Sequence, residues 1–109
     1  MARAIKRGEI WQYRFKAPDK RRPVLVLTRP DVIPLLHTVM VAPITSTRRG
    51  APSEVPVGPN EGLKHESAVN LDHVQTVDQS RLLSFVGSLS AAQMRQVCRA
   101  LAIATGCAD

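Results

Sequence analysis

The sequence of 109 residues predicts a mainly β protein: a small, strongly bent antiparallel sheet or open barrel of about six strands, followed by one C-terminal α-helix. Three observations support this prediction. Short apolar or alternating segments, each long enough for one strand, recur along the chain. Turn-forming residues separate these segments. Only residues 90–106 carry the apolar spacing of a long amphipathic helix.

Three segments in the first half of the chain are the strongest strand candidates. Glu9–Phe15 alternates, so that its three aromatic side chains fall on one face. Pro23–Thr28 is almost continuously apolar, which is typical of a central strand covered on both faces. Pro23 suits the first position of that strand, where its missing N–H need not join the ladder. Thr38–Ile44 is apolar and β-branched, which predicts a third strand.

Weaker strand patterns follow in the second half of the chain. They cover Ser53–Val57, Ser67–Val74 and Leu83–Leu89, with turn-rich sequence between them. Residues 29–37, RPDVIPLLH, contain two prolines and therefore predict a loop or a short helical turn. We expect Asp78 to cap a short turn before the last strand.

One long helix is predicted to begin after Ser90 and to end at Gly106. Ser90 and Gln93 have the spacing of a capping box, in which each side chain bonds the backbone N–H of the other residue. Apolar and small residues then recur at steps of three and four, which marks the buried face. They are Met94, Val97, Cys98, Leu101 and Thr105. We interpret Cys98 as a small core residue, and Gly106 as the helix stop.

Positive charge is the first functional observation. Fifteen Lys and Arg residues against nine Asp and Glu residues give a formal net charge of +6. A clustered basic footprint favours a nucleic-acid or phosphate partner over a neutral metabolite. Charge alone does not separate RNA from DNA or from an acidic protein. The clustered cations are Arg3, Lys6, Arg7, Lys16, Lys20, Arg21, Arg22, Arg48 and Arg49.

The sequence carries no pattern typical of a membrane span, a signal peptide or a metal site. No run approaches the ~20 apolar residues that cross a bilayer, and the basic N-terminus lacks the apolar core of a signal peptide. We therefore expect a cytoplasmic protein without membrane association, folded as one domain over residues 1–109. Cys98 and Cys107 stand apart, without a C-x-x-C motif or a nearby His, so we expect neither a metal ligand set nor a disulfide.

Two strand ends carry residues suited to phosphate chemistry. Pro23 restricts the backbone beside Arg22, so that the guanidinium projects from a rigid edge and can hold two phosphate oxygens. A solvated arginine at a strand end is the alternative. Residues 43–50, PITSTRRG, end the third strand with hydroxyl and guanidinium donors, and an ordinary polar loop is the alternative there. If the second and third strands are neighbours, Arg22 and Thr45 lie close together, but periodicity alone does not decide between these interpretations.

The order of several short motifs along the chain resembles a known family. No single motif is specific, but the ordered set from Gly8 to about Gly106 resembles the MazF/PemK toxins. These are small ribonucleases of toxin–antitoxin pairs, also called mRNA interferases. The motifs are GEIW (8–11), RPVLVL (22–27), VMVAPITS (39–46), ESAVNLD (66–72), TVDQSRL (76–82) and GSLS (87–90) before the helix.

The resemblance implies an SH3-like barrel that forms a homodimer and binds single-stranded RNA in a groove between the subunits. It implies that Arg22 and Thr45 are catalytic and that no metal or other cofactor is used. The 2′-OH would attack the adjacent phosphate and leave a 2′,3′-cyclic phosphate and a 5′-OH. It also implies a cognate antitoxin, an acidic protein whose partly disordered tail occupies the basic groove. We expect further RNA contacts from Phe15, Lys16, Lys20, Arg21, Ser46, Thr47, Arg48, Arg49 and His73.

Several details stay open at this stage. His73 stands where many relatives carry Gln, and a partly buried structural role competes with an RNA contact. His37 is expected to be structural or solvent-facing. His65 is expected at the surface, with a place near the groove as its alternative. The loop Lys16–Arg21 lacks the Gly-Ser segment of many relatives, so the cleavage sequence is not predicted. Two other functions also remain open: a non-catalytic toxin that binds DNA gyrase, and an SH3-like RNA-binding module.

Overall fold

The computed structural model describes residues 4–16 and 21–108. Within these ranges the chain forms seven β-strands, and an α-helix follows the last of them. In chain order they are β1 (Glu9–Arg14), β2 (Arg21–Val26), β3 (Thr38–Thr45), β4 (Glu54–Val57), β5 (Ser67–Asn70), β6 (Gln75–Asp78), β7 (Leu82–Ser88) and α1 (Ala91–Ala104). The predicted mainly β class and the C-terminal helix are confirmed.

The strands pair antiparallel in the order β4-β5-β3-β2-β1-β7, and β6 also pairs with β3. β3 bends the sheet because it changes partners along its length. Its first residues, 38–41, pair with β6, whereas Ile44 and Thr45 pair with β5. The result is an SH3-like, strongly bent sheet that does not close into a complete barrel.

The two faces of the sheet carry separate apolar cores. Ile10, Leu25 and Val97 belong to the first core, which α1 covers. Trp11 and Val24, the strand neighbours of Ile10 and Leu25, belong to the second core. Successive side chains therefore alternate between the two cores, as they do in a strand that is covered on both faces. The predictions of one aromatic face on β1 and of two buried faces on β2 are therefore confirmed.

The predicted strand Ser67–Val74 is wrong, because the structure divides this segment. β5 ends at Asn70, whose side chain accepts a hydrogen bond of 2.9 Å from the backbone N–H of Asp72. Such a local side-chain bond replaces the ladder and favours a turn. The 3₁₀ turn Leu71–His73 follows, and Gln75–Asp78 then forms β6. The sheet therefore has seven strands where about six were predicted.

Two smaller predictions also need correction. Pro23 is the third residue of β2 rather than the first, because the strand begins at Arg21. Asp78 precedes the turn Gln79–Arg81 but makes no side-chain capping bond. The Gln79 side chain instead holds the neighbouring loop, donating to the backbone carbonyls of Ile33 at 2.9 Å and of Leu36 and Thr38 at 3.0 Å.

The predicted start of α1 is confirmed. Ser90 Oγ accepts from the N–H of Gln93 at 3.1 Å, and Gln93 Oε1 accepts from the N–H of Ser90 at 2.8 Å. The core assignment of Cys98 is wrong: its side chain is exposed, and its Sγ accepts a hydrogen bond from Arg7 at 3.3 Å. Val97 faces the core, and the next residue of a helix points about 100° away from it. Neither Cys98 nor Cys107 forms a disulfide. No helix among the described residues is both long and apolar enough to span a membrane.

The turn Pro59–Glu61 packs directly against β7 through two glycines. A Cβ atom on Gly62 would collide with the carbonyl oxygen of Val86, and one on Gly87 would collide with that of Glu61. Gly62 also has a φ of +91°, which side chains other than glycine rarely adopt. Backbone therefore meets backbone at this contact, which positions the loop that follows Gly62.

We expect Gly87→Ala to lower the free energy of unfolding by about 2 kcal/mol, because overpacking against fixed backbone forces the two segments apart. For a chain of this size, the melting temperature should fall by about 10 °C. Ser88→Ala is the matched control, since Ser88 is the adjacent, exposed position of β7. Thermal denaturation followed by circular dichroism measures both variants, and equal melting temperatures would contradict the close contact.

Candidate active site

A cleft opens where β2 and β3 separate. The ladder between these strands starts at the pair Val24–Pro43. Beyond this pair, Arg22 is aligned with β1, whereas Thr45 is aligned with β5. Neither Pro23 nor Pro43 has an N–H to extend the ladder. The two strand ends are therefore not paired with each other, and both Arg22 and Thr45 line the cleft.

Two cavities border Arg22 and Thr45, and we call them the two arms of the cleft. The first arm has a volume of about 880 Å³ and runs between β1, β2 and the loop after Gly62. The second arm, about 320 Å³, runs toward the turn after β5. Both arms are lined by Arg22, Ile44, Thr45 and Thr47. Arg22 and Thr45 therefore share one cavity, which is the arrangement expected if their two strands are neighbours.

The exposure and hydrogen bonds of this pair suit an anionic ligand. The Arg22 side chain is exposed, and Thr45 is half-buried. Thr45 Oγ1 accepts a hydrogen bond of 3.1 Å from the backbone N–H of Thr47. Because that bond uses only a lone pair, the Thr45 hydroxyl hydrogen remains able to donate to a ligand. The Arg22 guanidinium and the Thr45 hydroxyl can thus donate hydrogen bonds to the same phosphate group.

The two arms differ in charge. The described residues that line the first arm include Arg21, Arg22 and Lys64, and no Asp or Glu. The second arm contains Arg22 and Arg49 together with the carboxylates of Glu54 and Asp72. The first arm is therefore the more favourable path for a polyanion.

Both carboxylates of the second arm are engaged by neighbours. Glu54 Oε1 accepts from the backbone N–H groups of Arg49 at 3.1 Å and Gly50 at 3.0 Å. Asp72 Oδ2 accepts from the Ser53 hydroxyl at 2.6 Å. Within the described ranges, no group of three or more His, Cys, Asp and Glu side chains is arranged to hold a metal ion. The donors of the cleft include guanidinium, ammonium, hydroxyl and amide groups, which bind phosphates directly.

The structure places some of the predicted RNA-contact residues in the cleft. Arg21, Ser46 and Thr47 line the first arm, and Thr47 and Arg49 line the second. His73 is exposed in the second arm, with its Nδ1 atom 3.4 Å from the Asn70 side-chain nitrogen. The partly buried structural position that competed for His73 is therefore not observed.

Other predicted contact residues lie elsewhere. Phe15 packs edge-on against Tyr13, with ring centroids 4.7 Å apart, and neither Phe15 nor Lys16 is among the residues that line the two arms. Arg48 is likewise absent from both linings, and its guanidinium is 3.7 Å from Glu66. Lys20 lies outside the described residues.

Gln12, Lys64 and His65 also line the first arm. Neither Gln12 nor Lys64 was predicted in the site, and for His65 a place near the groove was the alternative to a surface position. Gln12 had a usable signal, because a polar residue interrupts the face of β1 that Ile10 begins. Lys64 had none. Lys64 and His65 follow Gly62, whose backbone packs against β7, and no local pattern reveals this contact.

Comparisons with known proteins identify the family and the fold. Residues 6–105 match the family described as the PemK-like, MazF-like toxin of type II toxin–antitoxin systems. The chain is 43% identical over 102 residues to the "Probable endoribonuclease MazF5" of Mycobacterium tuberculosis, which covers 93% of each chain. It is similar in structure to the Mycobacterium tuberculosis toxin MazF-mt6, with a TM-score of 0.84, 41% identity, and coverage of 90% of this chain and 96% of that one.

A second solved structure is an endoribonuclease in complex with its cognate antitoxin from a mycobacterial species. Its TM-score is 0.86 at 26% identity, with coverage of 97% of this chain and 99% of that chain. The family match and the curated relative both extend over nearly the whole sequence, and both include the cleft. The chain therefore belongs to the PemK-like, MazF-like toxins of type II toxin–antitoxin systems.

Proposed function

We propose that this endoribonuclease toxin cleaves single-stranded RNA in this cleft, with Arg22 and Thr45 as its catalytic residues and without a metal ion. The observation that carries the proposal is that these two side chains share one cavity whose larger arm is cationic. RNA rather than DNA is the substrate, because only RNA supplies an internal 2′-OH nucleophile.

The reaction follows from the groups that line the cleft. The 2′-oxygen forms a bond to the adjacent phosphorus while the bond from phosphorus to the 5′-oxygen breaks. The 2′-OH loses a proton and the leaving 5′-oxygen gains one, which leaves a 2′,3′-cyclic phosphate and a 5′-OH. Negative charge builds on the phosphoryl oxygens during attack. Arg22 and Thr45 donate hydrogen bonds to these oxygens.

Donors positioned for such developing charge contribute about 3–4 kcal/mol each when they resemble oxyanion-hole groups. We assign Arg22 an electrostatic role, because an arginine does not normally release its proton and is a poor base. Arg22 and Thr45 therefore act by stabilising the charge on the phosphoryl oxygens.

The biological setting is part of the same proposal. The toxin acts in the cytoplasm as a homodimer and is neutralised by an acidic antitoxin that occupies the cationic cleft. The mycobacterial relative solved with its cognate antitoxin supports such a partner. The net charge of +6 favours an acidic one. Sedimentation of the purified chain, alone and with the antitoxin, measures both associations.

We expect Arg22→Ala and Thr45→Ala each to reduce the rate of RNA cleavage at least 100-fold, because each removes one donor to the phosphoryl oxygens. Arg29→Ala is the matched control, because Arg29 is an exposed arginine that lies 3.8 Å from Asp31 and lines neither arm. Gel electrophoresis of a long transcript measures the cleavage rate of each variant. Wild-type rates in Arg22→Ala with an unchanged melting temperature would remove Arg22 from the mechanism.

The chemistry is tested separately from the residues. Cleavage should persist in EDTA, and the fragments should carry 5′-OH and 2′,3′-cyclic phosphate ends. A substrate with a single 2′-deoxynucleotide at the cut position should resist cleavage there, because the nucleophile is missing. Cleavage of the deoxy-substituted linkage, or its loss in EDTA, would contradict this mechanism. RNA that is bound but left intact would indicate a binding module, and inhibited supercoiling without RNA binding would indicate a gyrase poison.

A further inference from the structure

We propose that Gln12 reads a nucleobase beside the cleaved linkage, which makes the first arm a base-specific subsite. This inference rests on the proposed function, because it concerns the RNA that the same cleft accepts. It adds what cleavage alone does not require: a residue that selects the sequence.

The position of Gln12 is set by the sheet. Gln12 lies in β1 and is aligned with Pro23 of β2 on one side and with Ser84 of β7 on the other. Its backbone is therefore enclosed between two strands, and the side chain is the part that can meet a ligand. Side chains on paired strands are held more accurately than side chains on loops. Gln12 is half-buried and lines the first arm.

The lining of the first arm separates two kinds of contact. Arg21, Arg22 and Lys64 supply positive charge, which suits phosphates. Pro23 and Leu63 supply apolar surface, which suits the faces of a base. Phosphate contacts position a nucleic acid, whereas hydrogen bonds to base edges carry sequence information. The arm thus has both components of a nucleotide site.

Gln12 is the only carboxamide among the described residues that line the first arm. A carboxamide presents two N–H donors and one carbonyl acceptor, without a charge that would favour phosphate. Unstacked bases of single-stranded RNA are recognised through such hydrogen bonds on their edges. The volume of about 880 Å³ lies within the range of about 300–1,000 Å³ typical of small-ligand sites, so the arm has room for a base.

The test compares Gln12→Met and Gln12→Glu with the wild-type protein. Met keeps the side-chain length and removes the hydrogen bonds, whereas Glu keeps the shape and replaces the donors by acceptors. Each protein cleaves an RNA with randomised sequence, and sequencing of the 5′-OH fragments gives the base preference at every position around the cut. Gln96→Met is the control, because Gln96 is exposed on α1 and lines neither arm.

We expect Gln12→Met to reduce the ratio of cleavage between the preferred base and the other bases by about tenfold at one position beside the cut. The base preferences at the other positions should not change. Gln12→Glu should shift that preference toward cytosine, whose amino group donates to a carboxylate. Gln96→Met should retain the wild-type preferences. Unchanged preferences in both Gln12 variants would overturn the inference, even if their overall rates fall. Thermal denaturation establishes whether each variant is folded.

A second measurement keeps the wild-type protein and changes the RNA. The substrate carries a base analogue that lacks the exocyclic group of the natural base. The analogue stands at the position that the variants identify. If the variants do not fold, it is placed at each position beside the cut in turn. Cleavage should slow about tenfold at one position, and equal rates at all positions would overturn the inference. If the wild-type protein cleaves no RNA, the proposed function fails and this inference fails with it. If RNA is cleaved with unchanged preferences, only the inference fails.

Discussion

The site depends on one constraint, the separation of β2 from β3 beyond the pair Val24–Pro43. Beyond that pair, Arg22 remains paired with β1 and Thr45 is paired with β5, so the two strand ends do not pair with each other. If the ladder continued, paired backbone would occupy the space that now forms the cleft. The prolines on either side help to prevent this, because neither can donate to a continuing ladder. The cleft is therefore a product of strand pairing rather than of a mobile loop.

This strand pairing also explains how a small sheet can hold both a core and a site. β1 and β2 are buried on both faces near Ile10 and Leu25, which anchors them in the two apolar cores. Toward Arg22 the same strands reach the cleft, so rigid backbone carries side chains that face a ligand. A strand supports such side chains with little conformational freedom to lose on binding. Preorganisation of this kind is what electrostatic stabilisation of a transition state requires.

Much of the fold could be predicted from local pattern. Alternation on β1, the apolar run of β2 and the capping box at Ser90 all have local physical causes, and the structure contains each of them. Local pattern failed where a side chain competes with the ladder, as Asn70 does when it ends β5. It also failed for Cys98, because spacing at three and four residues does not fix the exact edge of a buried helical face. The convergence of Arg22 and Thr45 followed from neighbouring strands, whereas Lys64 and His65 reach the cleft through a long-range backbone contact.

That contact, between Gly62 and Gly87, restricts how such a chain can diversify. The two backbones touch without intervening side chains. A residue inserted into either segment would therefore displace the part of the cleft that contains Lys64 and His65. Variants of this scaffold should therefore keep the segments around Gly62 and Gly87 at constant length.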